Sequence, residues 1–288
     1  MQAVGQSYPN MLVYDITVAA GTTFTLPLTA GGTYNCRVDW GDGTALTTVT
    51  VWNSAAASHT YATRGTFRII IRGTCTQHAF SGAGSCLMVT KVWNCDLAGI
   101  TTINWQGCQR LLEIDSQCRF PISIPAASAF ANTFQNCGSL RAIPARLFAN
   151  NTGVTTSAFT GTFSNCINLQ YIPSGLFSYN TQVSTAAFQN TFSGCASLKE
   201  VPVDLFRYNT LVSSSAFSGT FNFCASLTVI PPDLFRYNTS VSTAAFGSTF
   251  AGTAIETIPV DLFRYNTAIT TSAFASTFSG CLRLKSIP

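Results

Sequence analysis

Charge is scarce in this chain. Asp, Glu, Lys and Arg make up 9% of its 288 residues and leave a formal net charge of +4, where roughly 25% charged residues is usual for a soluble domain. The basic residues are scattered rather than clustered, so the electrostatic footprint that phosphate-backbone binding requires is missing, and nucleic acid is not an expected partner. Histidine is nearly absent: His59 and His78 are the whole supply, which leaves little from which to build a general base. No Cys-x-x-Cys occurs, so the paired ligands that zinc usually takes are lacking. No window approaches 18 unbroken apolar residues, and the stretch Met1 to Asn10 has no basic start followed by an apolar run. Neither a signal peptide nor membrane insertion is expected.

What the chain does have is Ser, Thr, Asn and Ala in abundance, with 22 Phe and 11 Cys. Much of this falls on a repeat. Phe134, Phe163, Phe192, Phe221, Phe250 and Phe278 follow one another at 29, 29, 29, 29 and 28 residues, each preceded by Thr. Three positions after these rings stand Cys137, Cys166, Cys195, Cys224 and Cys281. The copy at Phe250 reads as one residue short, with its cysteine slot deleted. A divergent earlier copy runs through Trp105, Cys108, Leu111 and Ile114.

The unit read from Ser213 holds Phe217, Phe221 and Cys224 at i, i+4 and i+7, one stripe of an α-helix, with Ser and Thr placed ahead as N-caps. A Leu-x-x-Ile/Val-Pro step follows, extended because a residue before proline leaves the α region. Asp204, Asp233 and Asp261 are then expected to open a second short helical turn. No such unit buries its apolar side alone, so successive copies should stack with equivalent rings in contact.

The string Thr-Phe-x-x-Cys-x-x-Leu-x-x-Ile-Pro-x-x-Leu-Phe resembles the BspA-like branch of the leucine-rich repeats, which occurs in bacterial and protozoan surface proteins and in some phage proteins. Upstream, Asp39-Trp40-Gly41-Asp42-Gly43-Thr44, His59-Thr60-Tyr61 and Gly65 to Ile71 resemble a PKD-type immunoglobulin-like domain. Gly-Asp-Gly is turn chemistry between β-rich runs and agrees with that likeness. The expected fold class is α+β: an N-terminal β-sandwich over 1–76, a linker and capping repeat over 77–120, and a leucine-rich-repeat-type solenoid of 29-residue units over 121–288, each unit a short strand plus helical segments.

Candidate chemistry is thin. The ladder cysteines are read as buried, reduced packing thiols. Cys36 with Cys75 is a candidate bridge, as is Cys86 with Cys95 or Cys108 with Cys118. His59 is read as structural, and Asp39 with Asp42 as turn-stabilising, since two carboxylates fall short of a calcium site. The main surface feature is Arg207, Arg236 and Arg264, each followed by Tyr208, Tyr237 or Tyr265, with Tyr179 one repeat earlier. Stacking would align them into a stripe of guanidinium and phenol, a composition favoured at recognition hot spots. Asp204, Asp233 and Asp261 stand three residues before each arginine, placed for local ion pairs. Asn151, Asn180, Asn209, Asn238 and Asn266 form a matching ladder, read as turn or cap residues.

These features predict a non-enzymatic structural or recognition protein without cofactor or metal, displayed on a virion or other extracellular surface. A phage tail, fibre or capsid decoration is the first expectation, and a cell-surface adhesin that binds a host receptor or glycan is the alternative. Partners are expected to be proteins, through self-association or a larger assembly; the last coil lacks a polar cap, so this end is expected either to meet another subunit or to continue in a longer natural polypeptide.

Overall fold

The computed structural model describes residues 8–81 and 84–288. The reading of Met1 to Asn10 for a leader falls mostly outside that range. Among the described residues ten strands form: β1 (Leu12–Val18), β2 (Thr22–Thr25), β3 (Tyr34–Asp39), β4 (Thr47–Val49), β5 (Ser58–Tyr61), β6 (Gly65–Cys75), β7 (Gln77–Ser81), β8 (Val89–Asn94), β9 (Thr102–Gln106) and β10 (Glu113–Ile114).

A six-stranded sheet in the order β10-β8-β1-β6-β3-β4 is the frame of the amino-terminal part. Its logic is local. Along β3, Tyr34, Cys36 and Val38 point inward while Asn35 and Arg37 face solvent, the period of two that a half-buried strand demands. The small β2–β5 pair lies against it, with Tyr14 of β1 meeting Phe24 of β2 at 6.2 Å and Tyr61 of β5 stacked on Phe67 of β6 at 4.4 Å. The sheet takes β8 and β10 from the segment 77–120, so that segment shares the core of the β-domain.

The third sheet connects the two halves. Strand β7 pairs with β9 in parallel, and β9 passes the ladder on through Trp105 N–H to Thr133 O (2.7 Å) and Gly107 N–H to Gln135 O (2.8 Å). From there each coil bonds to the next. In the coil of Phe217 and Phe221, the amides of Ser215, Phe217, Gly219, Phe221 and Phe223 donate to carbonyls of Thr243, Ala245, Gly247, Thr249 and Ala251 at 2.8 to 2.9 Å. The amides between them, of Ser218, Thr220, Asn222 and Cys224, donate to carbonyls three residues back at 3.1 to 3.2 Å. Half the amides therefore bond across coils and half close β-turns, which satisfies the backbone without a helix.

This corrects the expected fold class. Among the described residues the only helical segments are two short 3-10 turns, Ala55–Ala57 and Gly84–Met88, so the chain is nearly all-β and is not a leucine-rich-repeat solenoid with helical segments. The reason lies in the backbone. Ser215, Gly219 and Phe223 have φ of 54°, 63° and 56°, and every coil repeats this left-handed residue at each fourth position. One such residue ends an α-helix. The spacing of Phe217 and Phe221 is met equally by a helical face and by a turn ladder with a four-residue period. The expected helical turns at Asp204, Asp233 and Asp261 are β-turns, closed by Arg207, Arg236 and Arg264 N–H to the aspartate carbonyls at 3.1 to 3.2 Å. At the Leu-x-x-Ile-Pro step no strand forms among the described residues beyond one isolated bridge, Tyr171 with Glu200, because proline withholds a ladder donor in each unit.

Three columns of phenylalanine fill the coils. Phe134, Phe163, Phe192, Phe221, Phe250 and Phe278 stack at 5.5 to 5.9 Å. Phe130, Phe159, Phe188, Phe217, Phe246 and Phe274 stack at 5.5 to 5.8 Å. A third column, from Phe120 through Phe148, Phe177, Phe206 and Phe235 to Phe263, stacks at 5.7 to 6.3 Å and meets the second with its rings tilted, as for Phe217 and Phe235 at 4.8 Å and 48°. Equivalent rings touch their counterparts one coil along, as the repeat requires.

Candidate functional site

The turn Asp-Leu-Phe-Arg-Tyr-Asn places its residues by alternation. Leu and Phe turn into the core, Arg and Tyr turn out, and the following Asn turns back in. Stacking the turns aligns Tyr179, Tyr208, Tyr237 and Tyr265 into an exposed column beside Arg207, Arg236 and Arg264. Arg207 lies over Tyr208 of its own coil at 5.8 Å and over Tyr237 of the next at 5.2 Å. Arg236 does the same with Tyr237 (5.9 Å) and Tyr265 (5.1 Å), and Arg264 lies over Tyr265 at 5.9 Å. Cation and ring therefore alternate without a break across three coils, an exposed arrangement worth about 0.5–1 kcal/mol per contact.

Local ion pairs occupy part of this stripe. Arg236 reaches Asp233 at 3.5 Å and Arg264 reaches Asp261 at 3.3 Å, both on the surface, where such pairs contribute about 0–1 kcal/mol. Asp204 behaves differently: it accepts from Ser174 Oγ at 2.7 Å, and among the described residues no carboxylate lies within ion-pair distance of Arg207. A residue missed in the sequence is Arg146, which sits in the slot that later units give to Asp. Its guanidinium donates to Tyr179 Oη at 3.2 Å and lies 5.7 Å from that ring, so it supplies the cation that Ser178 does not. The signal was available in Ser178, which breaks the Arg-Tyr pattern.

Directly beneath the stripe runs the asparagine ladder, buried throughout. Asn209 Nδ2 donates to Phe177 O (3.1 Å) and Asn180 O (2.9 Å), and Asn238 repeats the pair on Phe206 O (3.0 Å) and Asn209 O (2.9 Å). These side chains bind adjacent coils together and hold the stripe level. Threonine and cysteine ladders do the same elsewhere: Thr191 Oγ1 donates to Phe159 O at 2.8 Å and Cys195 Sγ to Phe163 O at 3.2 Å. Burial pushes the Cys195 thiol up to about 12, so it stays a protonated donor. The cysteine slot of the short copy is not deleted. Thr253 fills it, with its N–H on Phe250 O at 3.3 Å and its hydroxyl 3.3 Å from Cys281 Sγ.

In the β-domain, Asp42 accepts from Thr44 Oγ1 (2.7 Å), Thr44 N (3.1 Å) and His59 Nε2 (2.6 Å). Partial burial would raise its carboxyl, but the bonds from Thr44 and His59 prevail and hold it down at about 2. His59 is stacked on Trp40 at 5.1 Å. His78 is fully buried among Tyr14, Phe80 and Trp105, bonded to Tyr14 Oη at 3.2 Å, and burial lowers it to about 3, which keeps it neutral. Among the described residues no three His, Cys, Asp or Glu side chains converge as metal ligands, and no helix is long and apolar enough to cross a membrane.

The candidate sulfur bridges sort differently from the sequence expectation. Cys75 Sγ donates to Gln77 O at 3.6 Å and Cys86 Sγ to Gly107 O at 3.2 Å, while Cys118 Sγ faces Cys95 Sγ at 3.2 Å. No protein-family model matches the chain, and no curated protein matches it.

Proposed function

We propose that this chain is a non-enzymatic structural and recognition protein of an outer surface, a virion component such as a tail, fibre or capsid decoration, which meets a protein partner through its Arg–Tyr stripe. The observation that carries this reading is the unbroken alternation of exposed guanidinium and phenol over Tyr208, Arg207, Tyr237, Arg236 and Tyr265, set on a backbone whose amides are used coil by coil. Tyrosine and arginine offer large contact areas, and here stacking already orders them, so little rotamer entropy remains to be lost on binding. The histidines support a reading without catalysis: His78 is sealed in the core, and His59 Nε2 is held by Asp42.

The test is a Tyr208→Ala, Arg236→Ala, Tyr237→Ala triple variant. These side chains are exposed, so Tm should stay within a few degrees of the parent, while incorporation into the assembled particle from the native source should fall at least tenfold. Loss of host-cell or glycan binding, with particle incorporation intact, would favour the adhesin. Unchanged behaviour in both assays would refute the stripe.

A further inference from the structure

Six of the cysteines, Cys36, Cys75, Cys86, Cys95, Cys108 and Cys118, lie ahead of the regular coils; of these, Cys75 Sγ and Cys86 Sγ donate to the carbonyls of Gln77 (3.6 Å) and Gly107 (3.2 Å), and the pair Cys95 and Cys118 stands apart. Cys137, Cys166, Cys195 and Cys224 each donate to a main-chain carbonyl of the preceding coil at 3.2 Å, and Cys281 does so at 3.1 Å. Cys118 Sγ instead points at Cys95 Sγ, 3.2 Å away, with both residues fully buried.

Their position is a junction. Cys95 directly follows β8, and Cys118 closes the turn after β10 through its N–H on Asp115 O at 2.9 Å. The two strands pair only through Glu113 with Lys91 and Ile114 with Val92, so β10 is a two-residue edge. The 23-residue separation of the cysteines encloses β9, which is the first rung of the coil ladder. A covalent link here would tie that rung to the main sheet at its two-residue edge strand.

We propose that Cys95 and Cys118 are a disulfide-forming pair, closed by exchange with a small-molecule disulfide of the oxidised glutathione class. One protein thiolate attacks the small disulfide, forms a mixed disulfide and expels one small thiolate. The second protein thiolate then attacks the protein sulfur of that intermediate and expels the other small thiolate. The two thiol protons pass to the two expelled thiolates, and the protein's two electrons reduce the small disulfide. The sulfurs need approach by only about 1.2 Å to reach bonding distance, within the range of side-chain torsions. Because both thiols are buried, the exchange runs during folding or through opening of the β10 edge.

The decisive measurement is a peptide map. The full-length chain, reduced and unfolded, is refolded to equilibrium in a glutathione redox buffer, and free thiols are then blocked with N-ethylmaleimide under denaturing conditions. Non-reducing tryptic digestion should yield residues 92–110 joined to residues 111–119, with fragment ions placing the bond at Cys95 rather than Cys108. Cys166, Cys195 and Cys224 should carry the blocking group. In Cys118→Ala the linked peptide should vanish and Cys95 should become blocked. If that variant fails to fold, the map of the unsubstituted chain decides alone. Cys118 recovered blocked, singly glutathionylated or joined to Cys108 would overturn the assignment.

Discussion

Asn209 shows how much a single side chain does in this molecule. Its amide bonds two carbonyls of the turn one coil back, Phe177 O and Asn180 O, at 3.1 and 2.9 Å, with no solvent access. Removing it takes the side-chain donor from Asn180 O, while Phe177 O keeps the Asn180 amide, and such a loss costs about 1–3 kcal/mol. Asn209→Ala should therefore destabilise the chain by about 1–3 kcal/mol in guanidinium denaturation, while Tyr208→Ala, one residue away and exposed, gives up one surface cation–π contact and should cost no more than about 0.5–1 kcal/mol. The contrast separates scaffold from recognition surface at adjacent positions. The Asn ladder was legible as a turn or cap element because the residue recurs with the repeat. Its coil-to-coil bonding was not, since that depends on which way the side chain faces.

At the scale of the element, the deciding feature is the left-handed residue at each fourth position. Gly219 has φ of 63°, and a Cβ there would collide with the Asn190 side-chain oxygen. In an α-helix, Gly→Ala would stabilise by up to about 1 kcal/mol. In the turn ladder, Gly219→Ala should destabilise by about 1–2 kcal/mol, and a chemical denaturation curve distinguishes the two by sign. Glycine and asparagine at positions such as Asn132, Asn136, Gly161, Asn165, Asn190 and Gly194 carry the signal in the sequence. Ser215, Ala244 and Phe223 obscure it, because side chains of these types rarely take φ near 54°. An apolar stripe at i, i+4 and i+7 fits a helix, yet here alternate amides donate to the next coil.

For the whole molecule, the coils behave as identical layers between which hydrogen bonds and ring stacking are repeated. Deleting one complete unit, residues 184–212, restores every register: Phe221 then stacks on Phe163 and Ser215 N–H takes the same place relative to its neighbours. Such a chain should fold, with a circular dichroism spectrum of the same shape and without helical minima, at a modestly lower Tm. Deleting about half a unit puts aromatic columns against asparagine columns and should give aggregated or unfolded material. The result follows from nearest-neighbour energetics in repeat arrays.

By itself, the sequence determined the period, the stacking of equivalent rings, the burial of the cysteines, the turn at Asp39 to Thr44 and the alignment of the Arg–Tyr stripe, because each follows from residue type at a fixed spacing. Only the tertiary structure decided how each unit is built and which sulfurs meet. A four-residue spacing is common to a helical face and a turn ladder, and the choice between them rests on where each amide finds its acceptor. In this chain that acceptor stands one coil away, some 28 residues along for Phe217 and Ala245, beyond the reach of any local pattern.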